Sequence, residues 1–369
     1  MHLKKLQIEA GAVFEDVAGV TVPVHFGDVD REYRSVASGT GLVDRSLLGK
    51  VRLTGKDRAR FLHGMVTNTV LALAESEGNH AALTTARGQT LMDLWISNLG
   101  TYLWLETDPG MQKILCETLT RYLIADDVDI QDETEQWGIL GLVGDRSAQT
   151  VREAFGIEVS GLIVNQTRFS DSSSKPIWIT RRSAFGRQAF DLRISPEHLA
   201  EFWERSIQIG ASPLGFRAQE ILRVEAGIPR CGLEIDESVA PLETGLKDTV
   251  DFDKGCYIGQ EVIAKMHFRG QPRRYLAGLR IKAHGSEDLG ADVTVDGKIV
   301  GRITSSVFSP SLSGVIALAI LRRGSHEVGQ RVRVGDAEAE VVQLPFVSPE
   351  APWGANGSPS PVSDINNLT

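Results

Sequence analysis

Hydrophobic positions recur along the chain with two periods, which together predict both helices and strands. A spacing of three to four residues predicts amphipathic helices within residues 54–66, 111–128, 145–156, 195–207 and 215–229. We expect Asp145 to cap the third of these helices. Short apolar or alternating runs predict strands at residues 91–97, 101–107, 137–144, 177–182 and 188–194. These elements do not follow one another as regular βαβ units, so the pattern favours an α+β fold.

The pattern changes after residue 275. From there, short strand-like runs follow one another without a helical stretch, and the turns Asp296-Gly297 and Gly335-Asp336 are typical of type I′ hairpins. We therefore expect a small β-barrel over residues 275–345. Residues 346–369 are rich in Pro, Gly, Ser and Asn and cannot bury enough apolar area to offset their ordering entropy, so we expect a disordered tail.

Composition and charge narrow the function classes. A length of 369 residues indicates two or three domains, and a net charge of −9 argues against general nucleic-acid binding. No apolar run is long enough to cross a bilayer, and the N-terminus lacks the pattern of a signal peptide, so we expect no membrane partner. Three scattered cysteines without zinc-ligand spacing indicate a reducing cytoplasm and no bound metal.

The stretch DKGCYIGQE at residues 253–261 places a cysteine in polar, glycine-rich surroundings. Cys256 is either a reactive thiol, which the charge of Lys254 would favour, or a small side chain packed at a turn. Tyr257 offers a ligand a ring face and a hydroxyl, although core packing is the alternative for this residue. Gln260 offers a ligand both a donor and an acceptor.

Three stretches together resemble one known family. Residues 39–70, 215–236 and 253–261 are similar to the superfamily of the glycine-cleavage T-protein, a tetrahydrofolate-dependent aminomethyltransferase. Within it, KGCYIGQE at residues 254–261 resembles the YgfZ-type folate-binding proteins, which are implicated in the assembly or repair of iron–sulfur clusters. The resemblance covers residues from about 20 to 345.

The resemblance implies a GcvT-like three-domain cloverleaf, in which two interleaved α+β domains and a C-terminal β-barrel surround a central channel for folate. We assign the first α+β part to residues 1–140 and the second, which carries the KGCYIGQE loop, to residues 141–274. The barrel then takes residues 275–345 and the tail residues 346–369. The implied cofactor is tetrahydrofolate.

Two departures from the family pattern bear on the chemistry. Met92-Asp93-Leu94 stands where the aminomethyltransferases carry a paired acid, so one acid is missing. Arg187 lies in the turn where the family places a glutamate that bonds the pterin, and arginine has no acceptor to offer. We therefore expect a tetrahydrofolate-binding accessory protein that serves iron–sulfur proteins or their assembly machinery. The alternative is a tetrahydrofolate-dependent aminomethyltransferase or demethylase.

The remaining candidate site residues are spread over the chain. Asp93, a carboxylate in an apolar strand, either faces solvent or lies near a ligand amine, and the resemblance implies the folate nitrogens; with Cys256 it is the catalytic candidate. The resemblance also favours Arg223 for folate, while Asn68 caps a turn or contacts ligand. Arg269 belongs to a basic run at residues 264–274 that would bind a folate glutamate tail or form a solvated edge. Lys254, Tyr257 and Gln260 complete the folate-binding candidates.

Overall fold

A computed structural model describes residues 2–171, 175–283 and 291–348. In these ranges the helices are α1 (His2–Glu9), α2 (Val29–Ser38), α3 (Arg58–Met65), α4 (Met111–Tyr122), α5 (Ser147–Phe155), α6 (Leu199–Gln208), α7 (Phe216–Glu225) and α8 (Gln260–Phe268), with short 3₁₀ helices at Pro196–His198, Pro241–Glu243 and Lys247–Thr249. No helix among the described residues is long and apolar enough to cross a membrane.

The strands of the same ranges form two large sheets, one barrel and a small hairpin. They are β1 (Val13–Val17), β2 (Val20–His25), β3 (Gly41–Asp44), β4 (Gly49–Thr54), β5 (Gly78–Thr84), β6 (Thr90–Asn98), β7 (Leu103–Thr107), β8 (Asp129–Asp132), β9 (Gly138–Val143), β10 (Thr167–Ser170), β11 (Ile177–Ala184), β12 (Arg187–Ile194), β13 (Ser212–Pro213), β14 (Arg274–Ile281), β15 (Asp292–Val295), β16 (Lys298–Ser309), β17 (Gly314–Arg322), β18 (Arg331–Val334) and β19 (Ala337–Val342).

The two large sheets are interleaved along the chain. One has five strands in the order β5-β6-β7-β4-β8, and the other has six in the order β10-β11-β12-β9-β3-β13. Consecutive strands β3 and β4 lie in different sheets, so the first part of the chain contributes to both. This arrangement confirms the predicted α+β fold, in which the hairpin β6–β7 is antiparallel as expected.

Each sheet buries one apolar face under helices, because alternate residues of a strand point to opposite faces. In β6, Met92, Leu94 and Ile96 are buried in a core that also takes residues of α3 and α4. The six-stranded sheet packs in the same way against α5 and α6. The other faces of the two sheets meet through polar side chains, among which Arg182 of β11 bonds Glu106 of β7.

The C-terminal strands close into a barrel in the order β14-β17-β16-β15-β18-β19, which confirms the predicted barrel. At Asp296-Gly297 both residues have positive φ (49° and 74°), as a type I′ turn requires. At the second turn only Gly335 has positive φ (56°), which matches a type II′ turn, so type I′ is wrong there.

Two other local predictions are corrected. The helix expected over residues 111–128 ends at Tyr122, since Leu123 has extended backbone angles (φ −82°, ψ 103°). Asp145, expected to cap α5, lies outside the N-cap position, and its carboxylate pairs with the Arg187 guanidinium at 3.2 Å. Asp145 therefore forms a tertiary ion pair instead of capping the helix.

The predicted disordered tail begins with packed residues. Phe346 and Val347 are buried, and both backbone N–H groups donate to the carbonyl oxygen of Glu225 at the end of α7. Residues 349–369 lie outside the described residues. The division of the chain at residues 140 and 274 stays a prediction.

Candidate functional site

Asp93 lies on the polar face of the five-stranded sheet. Its neighbour Met92 points into the apolar core with no exposed surface, whereas the Asp93 side chain points the other way and is 9% exposed. An acid at position 92 would therefore enter the core and could not pair with Asp93 on the same face. The Asp93 carboxylate contacts His80 Nε2 at 2.7 Å through one oxygen.

The second carboxylate near Asp93 is Asp108, which follows β7. The Cys231 thiol donates to Asp93 Oδ1 at 3.3 Å, and the Cys231 backbone N–H donates to Asp108 Oδ2 at 3.2 Å. A carboxylate oxygen of each acid and the Cys231 sulfur lie within 4.8 Å of one another. We call His80, Asp93, Asp108 and Cys231 the acid centre.

The environment of the acid centre shifts two pKa values upward. Burial, followed by the charge of Asp93, raises the pKa of Asp108 to about 6. Burial and the two neighbouring carboxylates raise the pKa of the Cys231 thiol far above its usual range. The thiol is therefore a hydrogen-bond donor at neutral pH, and Asp108 can exchange a proton near neutral pH.

A neighbouring group of buried acids is arranged differently. Arg182 bonds Glu106 and also Asp191, the latter at 3.3 Å, and Arg45 reaches both Asp191 oxygens at 3.1 Å. These ion pairs neutralise the charges of the acids and are typical of a structural network. In the part of the chain that the structure describes, no Arg or Lys forms a salt bridge with Asp93 or Asp108. The negative charges of the acid centre are thus less compensated by cations than those of the neighbouring group.

His80 is held in place by neighbours on two sides. Its ring stacks on Trp95, its cross-strand partner in β6, with centroids 4.6 Å apart and planes at 4°. The Asn68 side-chain amide donates to the His80 carbonyl oxygen at 2.8 Å and, less closely, to that of Asp248 at 3.4 Å. Asn68 therefore contacts the backbone of the acid centre.

Arg223 is buried and holds the segment that carries Cys231. Its guanidinium donates to the Ile228 carbonyl at 2.8 Å and to Glu234 Oε2 at 3.1 Å, and it also reaches Ser305 at 2.7 Å. Glu220 accepts two further bonds at 3.0 Å. Because Ile228 and Glu234 flank Cys231 in sequence, Arg223 fixes the position of the thiol.

The segment 253–261, which we call the clamped loop, is fastened by Lys254. The Lys254 ammonium donates to the carbonyl oxygens of His63 and Val66 at 2.6 Å and of Asn68 at 2.9 Å. These carbonyls lie at the end of α3 and in the turn that follows, where a helix leaves acceptors without partners. Burial lowers the pKa of Lys254 to about 8.

Tyr257 and Gln260 also serve the clamped loop itself. Tyr257 is buried in an apolar cluster with Val250 and Ile263, which corresponds to the packing alternative, and burial raises its pKa to about 12. The Gln260 amide lies 3.5 Å from the Lys254 carbonyl and 3.4 Å from that of Gly255. Gln260 thus bonds its own loop while it begins α8.

Two of the predicted site residues, Cys256 and Arg269, lie at the surface of this region. Cys256 is exposed on the clamped loop, next to Gly255, and Arg269 is exposed at the end of α8. The structure therefore does not bring either residue into the acid centre. Of the predicted site residues, Asp93 belongs to that centre, and Asn68 and Arg223 contact its backbone or its supporting segment.

Sequence reasoning missed His80, Asp108 and Cys231. Cys231 lies within the family-like stretch 215–236, and this position is the signal that could have drawn attention to it. Asp108 directly follows a strand, a common place for functional side chains, but nothing in the sequence pairs it with a residue 15 positions earlier or with Cys231. His80 is one of eight dispersed histidines and carries no signal of its own.

Two family models match the chain. The GCVT N-terminal domain covers residues 3–254, and the glycine cleavage T-protein C-terminal barrel domain covers residues 274–348. An aminomethyltransferase of Rubrobacter xylanophilus is 30% identical over 343 residues, which are 91% of this chain and 91% of that protein. A chloroplastic protein of Arabidopsis thaliana whose name assigns it to the transferases is 29% identical over 360 residues, 96% of this chain and 82% of that protein.

A solved structure shares the whole architecture. The crystal structure of glycine cleavage system aminomethyltransferase T from Bartonella henselae matches with a TM-score of 0.87 at 22% identity. The match covers 94% of this chain and 98% of that chain. At this identity the likeness shows the fold, including the two interleaved sheets and the C-terminal barrel.

Proposed function

Because the chain belongs to the glycine cleavage T-protein family, we propose that it is a tetrahydrofolate-dependent transferase of one-carbon units whose reaction takes place at the acid centre. The observation that supports this most directly is the pairing of Asp93 with Asp108 on the polar sheet face. Asp108 supplies the second carboxylate whose absence at position 92 argued against transfer chemistry.

The side chains of the acid centre fit a reduced folate and an amine substrate. Tetrahydrofolate would accept the one-carbon unit through its nitrogen atoms. Asp93, which accepts from His80 and Cys231, presents negative charge to a cationic amine. Asp108, with a pKa of about 6, can donate or accept a proton near neutral pH. When two carboxyl groups of one site have different environments, one usually stays ionised while the other exchanges a proton.

Arg223 and Cys231 act as positioning residues in this proposal. Arg223 fixes the segment 228–234, and the Cys231 thiol and backbone N–H each hold one carboxylate. The high thiol pKa suits donation of a hydrogen bond and is unfavourable for nucleophilic attack, which needs a thiolate.

The proposal is tested by a turnover assay with isotopically labelled donors. The protein is incubated with tetrahydrofolate and ¹³C-labelled aminomethyl donors, whose carbon already has the oxidation level of formaldehyde, and labelled methylenetetrahydrofolate and released ammonia are measured. We expect labelled product from the wild type and a loss of about 100-fold or more in Asp93→Asn. The matched control is Cys256→Ala, which changes an exposed residue outside the acid centre and is expected to keep the rate within about twofold. Folate binding without any labelled product would contradict the transferase proposal.

A second candidate is a YgfZ-type folate-binding accessory protein for iron–sulfur clusters. Its supporting observation is Cys256, an exposed thiol on a loop whose backbone Lys254 holds in place. Client iron–sulfur proteins or their assembly machinery would be the partners, and the three free cysteines suit a reducing compartment, for which we propose the cytoplasm.

Complementation of a deletion strain separates the two candidates. The accessory role predicts that Asp93→Asn restores a cluster-dependent enzyme activity while Cys256→Ala does not. The transferase role predicts the reverse for any phenotype that depends on one-carbon transfer.

A further inference from the structure

Four arginines line one cleft at an end of the C-terminal barrel. Arg274 begins β14 and Arg322 ends β17, and these two residues are directly opposite each other in the antiparallel ladder. Arg273 and Arg323 extend the same pairing, since the Arg323 N–H donates to the Arg273 carbonyl at 2.9 Å. The four residues line a cleft of about 460 Å³, which we call the arginine cleft.

The closeness of these positive charges destabilises the protein when no anion is bound. Like charges directly opposite each other in a ladder destabilise a sheet, and Arg274 and Arg322 are such a pair, with Arg273 and Arg323 next to them in the chain. Arg274 is compensated by Glu243 at 3.3 Å and also donates to the Ser238 carbonyl. Within the described part of the chain, Arg273, Arg322 and Arg323 have no salt-bridge partner. These three guanidinium groups therefore have no carboxylate partner among the described residues and can bond an anion.

We propose that the arginine cleft binds a small molecule that carries two or more phosphate or carboxylate groups. The planar guanidinium group bonds both kinds of oxyanion through paired N–H donors, and several arginines from two adjacent strands can bind successive groups of one ligand. The cleft volume is within the range of small-molecule sites. The overall charge of −9 disfavours a long polyanion such as nucleic acid, because the remaining surface would repel it.

The site is separate from the acid centre and does not depend on the proposed folate chemistry. Its residues come from β14, β17 and the positions next to them, whereas the acid centre is formed by β5, β6, the end of β7 and the segment that follows α7. A probe without a folate group therefore tests the cleft alone.

Calorimetric titration with two probes tests the proposal and identifies the source of the anionic groups. Pyrophosphate represents phosphates, citrate represents carboxylates, and acetate is the monovalent control. We expect at least one of the first two to bind with a Kd below about 1 mM, and the affinity to fall as salt rises. We expect Arg322→Ala and Arg323→Ala each to weaken that binding by about tenfold or more, since each removes a charge-assisted donor.

Arg280→Ala provides the matched control. Arg280 is an exposed arginine of the same strand β14 but does not line the cleft, so its removal changes the net charge equally. We expect it to leave the affinity unchanged within about twofold, and all three variants to unfold at temperatures no lower than the wild type by more than a few degrees. Binding by neither probe, or equal weakening in Arg280→Ala, would overturn the proposal. So would tight binding of single-stranded DNA through these arginines in the absence of pyrophosphate or citrate binding.

Discussion

Polar side chains have different roles in the acid centre and in the clamped loop. In the clamped loop, Lys254 fills its hydrogen-bonding capacity with three backbone carbonyls, and Tyr257 packs in an apolar cluster. In the acid centre, Asp93 and Asp108 share one small volume without a salt-bridged Arg or Lys from the described residues. The more distinctive motif of the sequence is thus used largely to hold backbone together, whereas the carboxylates of the acid centre come from separate segments.

This difference shows how a short motif can have a mainly structural basis. A lysine that ends a helix by bonding its free carbonyls needs one residue type at one position, and so does a glycine at positive φ. Both requirements look like a functional signature when only the sequence is read. Two carboxylates that come from one strand and from the end of the neighbouring strand are separated in the sequence. No short sequence motif therefore marks them.

The largest expected effect concerns the clamped loop. Lys254→Met removes the donor for three carbonyl oxygens, and each buried unsatisfied acceptor costs about 1–3 kcal/mol, so we expect the free energy of unfolding to fall by about 4 kcal/mol. Urea denaturation measures this loss. Lys265→Met, an exposed lysine on α8, is the control and is expected to change stability by less than about 0.5 kcal/mol. Equal stability of the two variants would remove the structural role of Lys254.

The next effect concerns the acid centre and depends on pH. The pKa of Asp108 is about 6 in the folded protein against an ordinary value of 3.8, so the unfolded chain loses this proton first as pH rises. The folded state is therefore destabilised as pH rises from about 4 to about 6, by at most about 3 kcal/mol, and the loss is complete above that range.

Asp108→Asn removes this contribution. We expect the stability difference between Asp108→Asn and the wild type to shift in favour of the variant by up to about 3 kcal/mol between pH 4 and pH 7, measured by urea denaturation at each pH. A difference that stays constant over this range would show that Asp108 titrates as an ordinary surface acid, and the contrast between the two regions would weaken.

A smaller effect separates two glycines of the clamped loop. Gly259 has φ +84°, and a Cβ added there would lie 2.5 Å from the Thr85 carbonyl oxygen, so Gly259→Ala should cost at least about 2 kcal/mol. A Cβ at Gly255 would meet only the His63 ring nitrogen at 3.9 Å. We therefore expect Gly255→Ala to change stability by less than about 1 kcal/mol. Similar losses in both variants, measured by thermal denaturation, would contradict the close approach at Gly259.

The smallest effect is expected at Cys256. Its side chain is exposed, so Cys256→Ala removes little buried area and should change the free energy of unfolding by less than about 0.5 kcal/mol. Cys231→Ala is the comparison within the acid centre, where loss of the thiol donor to Asp93 should cost about 1 kcal/mol or more. A larger loss for Cys256→Ala than for Cys231→Ala would reverse the roles assigned to the two thiols.

Local patterns in the sequence predicted the fold well, and the candidate site much less. The period of the hydrophobic residues predicted β6, β7 and the all-β C-terminal segment, because burial of alternate side chains produces an alternating pattern in the sequence. The helix end at Tyr122 was missed because the apolar spacing continues to Leu123. The ion pair of Asp145 with Arg187 was missed because a tertiary contact decides it. The same reason hid the acid centre, whose members meet only when β5, β6, the end of β7 and the segment after α7 come together.

The most direct test of the acid centre as the reaction site is a crystal structure of the protein with bound tetrahydrofolate. We predict a folate nitrogen within about 3.5 Å of a carboxylate oxygen of Asp93 or Asp108. A folate molecule bound beside Cys256, with both carboxylates in contact with protein atoms alone, would contradict this assignment.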